Sequence, residues 1–229
     1  MQRHLEAELA DLKERILEMG TLVEMQIADS VTALVDQNVA LARETIQNDH
    51  RVNAMDVEVD EDCIRLLALY HPVGRDLRFI TTAMKITTDL ERMSDLSEDI
   101  CERIIELAEE TLPKPYLDLD LPGMAERAKK MVRQALDAFV NRDAALARAV
   151  CSDDQYIDDL THQIFVALLS MMVAKPQTIA QAIRISFITK YIERIGDHAT
   201  NIAEMVVYLV EGKIIRHTKV DAATPPPAA

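Results

Sequence analysis

Acidic and amide side chains recur at positions i, i+4, i+7 and i+11 along this chain, a spacing that lets oxygen donors gather on one side of a helix. Glu91, Asp95, Glu98 and Glu102 form one set, with Asp99 at its edge. Glu193, Asp197, Thr200 and Glu204 form another, with Asn201 at its edge. A third is Asp49, Asn53, Asp56 and Asp60, and a fourth is Asp154, Asp158 and Thr161. An α-helix turns about 100° per residue, so each set falls on a stripe about 60° wide. Like charges at i, i+4 repel by roughly 0.2–0.5 kcal/mol per pair. Stacked carboxylates without interleaved Lys or Arg therefore call for a neutralising partner. Hard cations such as Mg²⁺, Ca²⁺, Mn²⁺ and Fe prefer carboxylate oxygen, and stripes from two antiparallel helices could hold more than one ion. The alternative reading is a solvated acidic face of an acidic protein. Repetition of the stripes in both halves of the chain weakens that alternative and leaves the two readings balanced on spacing alone.

Other chemistry is thinly represented. A ferritin-like di-iron site needs two Glu-x-x-His pairs on facing helices, and the nearest match is the single half-motif Asp159-Leu160-Thr161-His162. His198 follows Asp197 and points about 100° away from its stripe, as a capping or surface histidine would. No phosphate-cradling Gly-rich loop, nucleophile elbow or Ser-His-Asp spacing occurs. No catalytic residue is expected.

The elements that must position these stripes are helices. Apolar residues recur at helical spacing, as in Leu5, Leu9, Leu12, Ile16 and then Ile27, Val31, Leu34. Breaks fall at His71-Pro72-Val73-Gly74, at the linker Leu112-Pro113-Lys114-Pro115 continuing to Leu121-Pro122-Gly123, and at Lys175-Pro176, with softer ones near Asp36–Asn38 and Asn141–Asp143. This predicts an all-α fold of six helices: a first three-helix unit over residues 1–112, a linker over 113–122, a second unit over 123–213, and a flexible tail over 214–229 whose end, Thr224-Pro225-Pro226-Pro227-Ala228-Ala229, reads as disordered.

The two units are copies. At an offset of 105, Val31–Asp49 lies over Leu136–Asp154 with 7 of 19 residues identical, including Ala42, Arg43 and Asp49 over Ala147, Arg148 and Asp154. At an offset of 102, Glu91, Arg92 and Asp95 lie over Glu193, Arg194 and Asp197. The change of offset places a three-residue insertion in the Pro72 loop. The repeated pairs Ala42-Arg43 and Ala147-Arg148 read either as helix-stabilising arginines beside the acids or as a partner contact through Arg43, Ala147 and Arg148.

Composition narrows the classes. The 229 residues carry 25 Lys+Arg against 39 Asp+Glu, a net charge of −14, with 49% apolar and only 4% aromatic residues. Such a balance repels nucleic-acid phosphates and anionic lipid. Cys63, Cys101 and Cys151 lie far apart, with no disulfide framework or thiolate zinc spacing, which suits a reduced cytoplasm. The longest apolar run, Ile164–Ala174, is about half the ~20 residues a bilayer requires, so the chain reads as soluble.

Several longer motifs carry a family resemblance. His71-Pro72-Val73-Gly74-Arg75-Asp76-Leu77-Arg78, Ile86 to Asp95, Tyr191 to Glu204 and Met19 to Glu24 strongly resemble the PhoU family of accessory regulators of bacterial phosphate uptake, over about residues 5–212. The resemblance implies two pseudo-symmetric three-helix bundles with metal ions (Fe, Zn, Mg or Mn) at Glu/Asp-x-x-x-Asp motifs. Glu91, Asp95, Asp99, Glu193, Asp197 and Asn201 would be ligands, with Asp49, Asn53, Asp154 and Asp158 opposite them. It further implies a cytoplasmic, dimeric negative regulator of the phosphate-starvation response that bridges the ATPase subunit of the phosphate ABC transporter and a sensor histidine kinase, meeting the membrane only through these proteins. Ser94 stands where the first motif usually has Gly, Leu96 replaces a small or polar residue, and Asn53 replaces a possible acid, so the first site is expected to be weaker or differently loaded and the second closer to the pattern. The competing expectation is a metal-binding bundle with a storage or ferritin-like redox role.

Overall fold

A computed structural model describes residues 2–109 and 119–215. The helices are α1 (Gln2–Asp36), α2 (Val39–Tyr70), α3 (Gly74–Ala108), α4 (Leu121–Asn141), α5 (Ala144–Ala174) and α6 (Ile179–Glu211), with a 3₁₀ turn at Pro176–Thr178. No strand occurs among the described residues. The all-α, six-helix expectation is met, and most of the expected linker and tail lie outside the described residues.

Local chemistry fixes the turns, and it does so twice. The Asn38 side chain caps α2 by accepting from the Leu41 amide at 3.1 Å, and Asp143 caps α5 by accepting from the Ala145 and Leu146 amides at 2.9 Å. Just before each cap, Gln37 and Arg142 take left-handed backbone with φ of 54° and 52°. These side-chain acceptors satisfy helix-end N–H groups that would otherwise lack partners. The α2–α3 loop is His71–Val73, whereas Lys175 alone separates α5 from the 3₁₀ turn, consistent with the expected insertion. One boundary differs: Leu121 and Pro122, assigned to the linker from the proline, form the first turn of α4 together with Gly123. Asp120 caps that turn by accepting from the Gly123 amide at 3.0 Å, and proline is tolerated there because its missing N–H is not needed.

Each trio packs through its apolar stripe, and the trios meet along α3–α6 and α1–α4. The buried residues are mainly Leu, Ile, Val, Ala and Met, among them Ile16, Met19, Ile80, Met93, Met131 and Ile195. Burying one such large side chain stabilises the fold by roughly 1.5–3 kcal/mol. At the α1–α4 crossing a Cβ on Gly20 would come within 2.3 Å of Leu136 Cδ1, so any larger residue there would have to displace the Leu136 side chain. Phe79 stacks on Phe139 across the halves at 5.5 Å. α3 and α6 run antiparallel, with His198 near Asp89 and Arg184 near Glu106.

That joint corrects one expectation. His198 neither caps a helix nor faces solvent: its Nδ1 lies 2.7 Å from Asp89 Oδ1, with both side chains largely buried. Its direction away from the acidic stripe, seen from one helix, is direction toward α3.

Candidate metal centre

In the second half, α5 presents Asp154 and Asp158 toward Glu193 and Asp197 of α6. Burial pushes the Asp154 carboxyl up to about 6, aided by the charges of Asp197, Asp158 and Glu193, while the Thr200 hydroxyl pulls the other way. Burial also raises Asp158, helped by the Glu193 charge and by a hydrogen bond between the two carboxyls. Asp197 is raised by burial and by Asp158, with Lys190, His198 and Arg194 opposing. Lys190 Nζ reaches Glu193 Oε2 at 2.6 Å. Carboxyl groups held near one another, with Asp154 and Glu193 half-buried and Asp158 and Asp197 at the exposed rim, favour the proton. A cation could replace it.

The corresponding site in the first half is arranged differently. Asp49, 7% exposed, receives Asn53 Nδ2 at 2.6 Å on one oxygen, and Ser94 Oγ lies 2.6 Å from the other. The same hydroxyl lies 2.7 Å from Oε1 of buried Gln26. Arg92 pairs with Glu91 at 3.4 Å and Asp95 at 3.0 Å. Glu91 is still raised, first by burial and then by Asp95, with Asp56 and Asp49 contributing and Arg92 opposing. Glu98 is raised by burial and by Asp49, Glu102, Asp95 and Asp99. Protein donors thus already occupy the oxygens of Asp49.

Both arrangements lie within segments that match known proteins. The PhoU domain family matches residues 16–104 and again 121–206. The phosphate-specific transport system accessory protein PhoU homolog of Pseudomonas aeruginosa is 38% identical over 218 residues, covering 95% of this chain and 89% of that protein. The homolog from Aquifex aeolicus is 40% identical over 210 residues, covering 92% and 94%. The chain belongs to the PhoU family. The crystal structure of PhoU from P. aeruginosa superposes with a TM-score of 0.86 at 39% identity, covering 91% of this chain and 99% of that one. The phosphate transport system regulatory protein PhoU from Streptococcus pneumoniae gives 0.85 at 28% identity, covering 92% and 98%.

In the second PhoU repeat the donors are carboxylate and hydroxyl oxygens, a set that fits hard cations better than zinc. Among the described residues, no three His, Cys, Asp or Glu side chains are already closed around one point. Ion binding would therefore draw Asp154, Asp158, Glu193 and Asp197 inward from where they stand. The first repeat fits less well, because Asn53, Ser94 and Arg92 serve the acids that an ion would need.

Two stripe-edge residues are placed elsewhere. Asn201 donates to Asp89 Oδ1 at 3.3 Å across the α3–α6 joint, so it is turned from the Asp154 group, contrary to the expectation of a ligand. Asp99 faces the same joint: its carboxyl is raised by burial and Glu102 and eased by Arg103 and Arg194, and the Tyr191 hydroxyl is raised by burial and then by the Asp99 charge. Of the expected partner contacts, Ala147 is 0% exposed and can touch no partner, because it packs in the core at the place Ala42 holds in the first repeat. Arg148 bonds Glu211 of α6 at 2.8 Å, and Arg43 is exposed. Gln26 escaped notice in the sequence, although a polar residue on the face shared with Val23 and Ile27 was a signal. Lys190 had no motif to mark it.

Proposed function

We propose that this chain is an accessory protein of a phosphate-specific transport system and a cytoplasmic negative regulator of the phosphate-starvation response. It works as a homodimer that links the transporter's ATPase subunit to a sensor histidine kinase. The observation that carries this reading is the PhoU match in both repeats, with relatives named as accessory or regulatory proteins. A bundle of this kind signals by binding partners differently in different states. A bound Mg²⁺, Mn²⁺ or Fe ion would supply positive charge between α5 and α6. Asp154, Asp158, Glu193 and Asp197 would hold it, with Asp49, Glu91 and Asp95 making a weaker second site.

A clean deletion tests the regulatory reading: phosphate-starvation genes become constitutive in phosphate-rich medium, whereas normal repression contradicts it. Co-purification of the chain with the transporter ATPase and with the kinase tests the two links separately.

A further inference from the structure

The outer faces of the α2–α3 and α5–α6 hairpins differ at matching positions. Where the first has Asp60, Glu61, Thr81 and Lys85, the second has Phe165, Val166, Ile183 and Phe187. Phe165, Val166 and Phe187 are each 48% exposed, Ile183 44%, Leu169 45% and Val173 83%. The first hairpin also exposes Val57, Ile64, Leu69, Val73 and Leu77, but in the second two aromatic rings join the aliphatic residues along one cleft, and such a patch marks a contact surface. By length and composition alone α5 could span a bilayer, yet only 17% of its apolar window is buried in the fold. A cleft of about 500 Å³ runs between the helices, lined by Phe165 and Phe187 in its middle and by Asp158, His162, Lys190 and Glu193 toward one end.

We propose that this cleft seats an amphipathic helix of a partner protein, apolar where it meets Phe165 and Phe187 and basic where it meets Asp158 and Glu193. Parallel apolar ridges on two antiparallel helices are the geometry that receives a third helix. From Asp158 to Val173 α5 rises about 22 Å, enough for roughly four turns of a visitor. Charge sets the direction: at one end Asp154, Asp158, Asp159, Glu193 and Asp197 outnumber Lys190, which pairs with Glu193, and Arg194, while exposed Lys175 sits at the hairpin tip. That acidic end repels an anionic lipid surface. The inference rests on the chain acting through partners, and it names one surface and its chemistry.

The test uses the full chain in EDTA, so that ions at the carboxylates play no part. The probe is a fluorescent peptide of about 18 residues, with a leucine ridge and lysines at one end. Binding is expected, and Phe165→Asp with Phe187→Asp should weaken it by about tenfold or more without changing the circular dichroism or Tm. Ile64→Asp, on the matching face of the first repeat, should leave it unchanged. Replacing the peptide's lysines with glutamates should weaken it by about tenfold. No binding, or equal binding by the double variant, overturns the proposal. So does any sign of another occupant: flotation with phosphatidylglycerol vesicles that the double variant abolishes, a dimer that it dissociates, or tighter peptide binding after Leu112→Asp in the chain's own linker. If peptide binding is lost while a strain carrying the double variant represses normally, the cleft assignment stands and its part in phosphate regulation falls.

Discussion

The two acidic groups descend from one repeated pattern and yet differ in what satisfies them. In the first repeat Ser94 and Asn53 hydrogen-bond Asp49, and Arg92 pairs with Glu91 and Asp95. In the second, glycine stands at the Ser94 position: a Cβ on Gly196 would lie 3.8 Å from Asp154 Oδ1 and 3.1 Å from Ile157 Cδ1, so no hydroxyl serves Asp154 from there. Asp158 replaces Asn53, adding a charge where the first repeat adds a donor. Lys190 still pairs with Glu193 in the second group, so what one serine and one amide separate is Asp49, already hydrogen-bonded by both, from Asp154, flanked by the further acids Asp158, Asp197 and Glu193.

Removing ligands gives the largest expected contrast. Asp154→Asn with Glu193→Gln should weaken the tighter Mn²⁺ site by about a hundredfold or more in a calorimetric titration of chelated protein. Asp49→Asn with Glu91→Gln should leave that site within about threefold of its starting affinity. Equal losses would erase the distinction between the repeats.

The joint between the repeats is unequal in the same sense, since Leu96 occupies in the first the place of His198 in the second. His198→Ala removes the closer partner of Asp89, which is 8% exposed, and should cost about 1–2 kcal/mol in chemical unfolding. Leu96→Ala would lose only apolar packing, so its cost should not depend on pH.

Exchanging the small residues sharpens the comparison. Ser94→Gly frees an oxygen of Asp49 and should tighten the first site by about tenfold, one hydrogen bond's worth, while Gly196→Ser should weaken the second by a similar factor. Affinities that move in the opposite directions would mean the serine assists binding.

The smallest effect is in stability without metal. Folding raises the Asp154 carboxyl to about 6 from about 3.9 in the unfolded chain. The folded state therefore binds more protons between those values, and stability declines as pH rises from about 4 to about 6. Asp154→Asn removes that loss, so in chelator its Tm should exceed the parent's at pH 7 and converge with it near pH 4. Parallel curves would show that the carboxyl is not perturbed.

Much of this could be read before any coordinates. Prolines, capping residues and helical periodicity marked six helices, and the changed offset between repeats located the extra residues in the His71–Val73 loop. The acidic stripes were legible because they depend on one helix at a time. Whatever depends on a facing helix was not. Asn201 and His198 belong to the joint with Asp89, Ala147 is buried despite sitting beside the polar Arg148, and a single-helix projection cannot say which neighbour lies at a stripe's edge. Pro122 misled for another reason, since a proline in a helix's first turn looks like a linker until its Asp120 cap is seen.

The unequal clusters are tested most directly by crystals grown with Mn²⁺ and no chelator, using an anomalous difference map. The account predicts the stronger peak among Asp154, Asp158, Glu193 and Asp197, with a weaker one or none beside Asp49 and Glu91. A peak at the first group alone, or none at either, would contradict it.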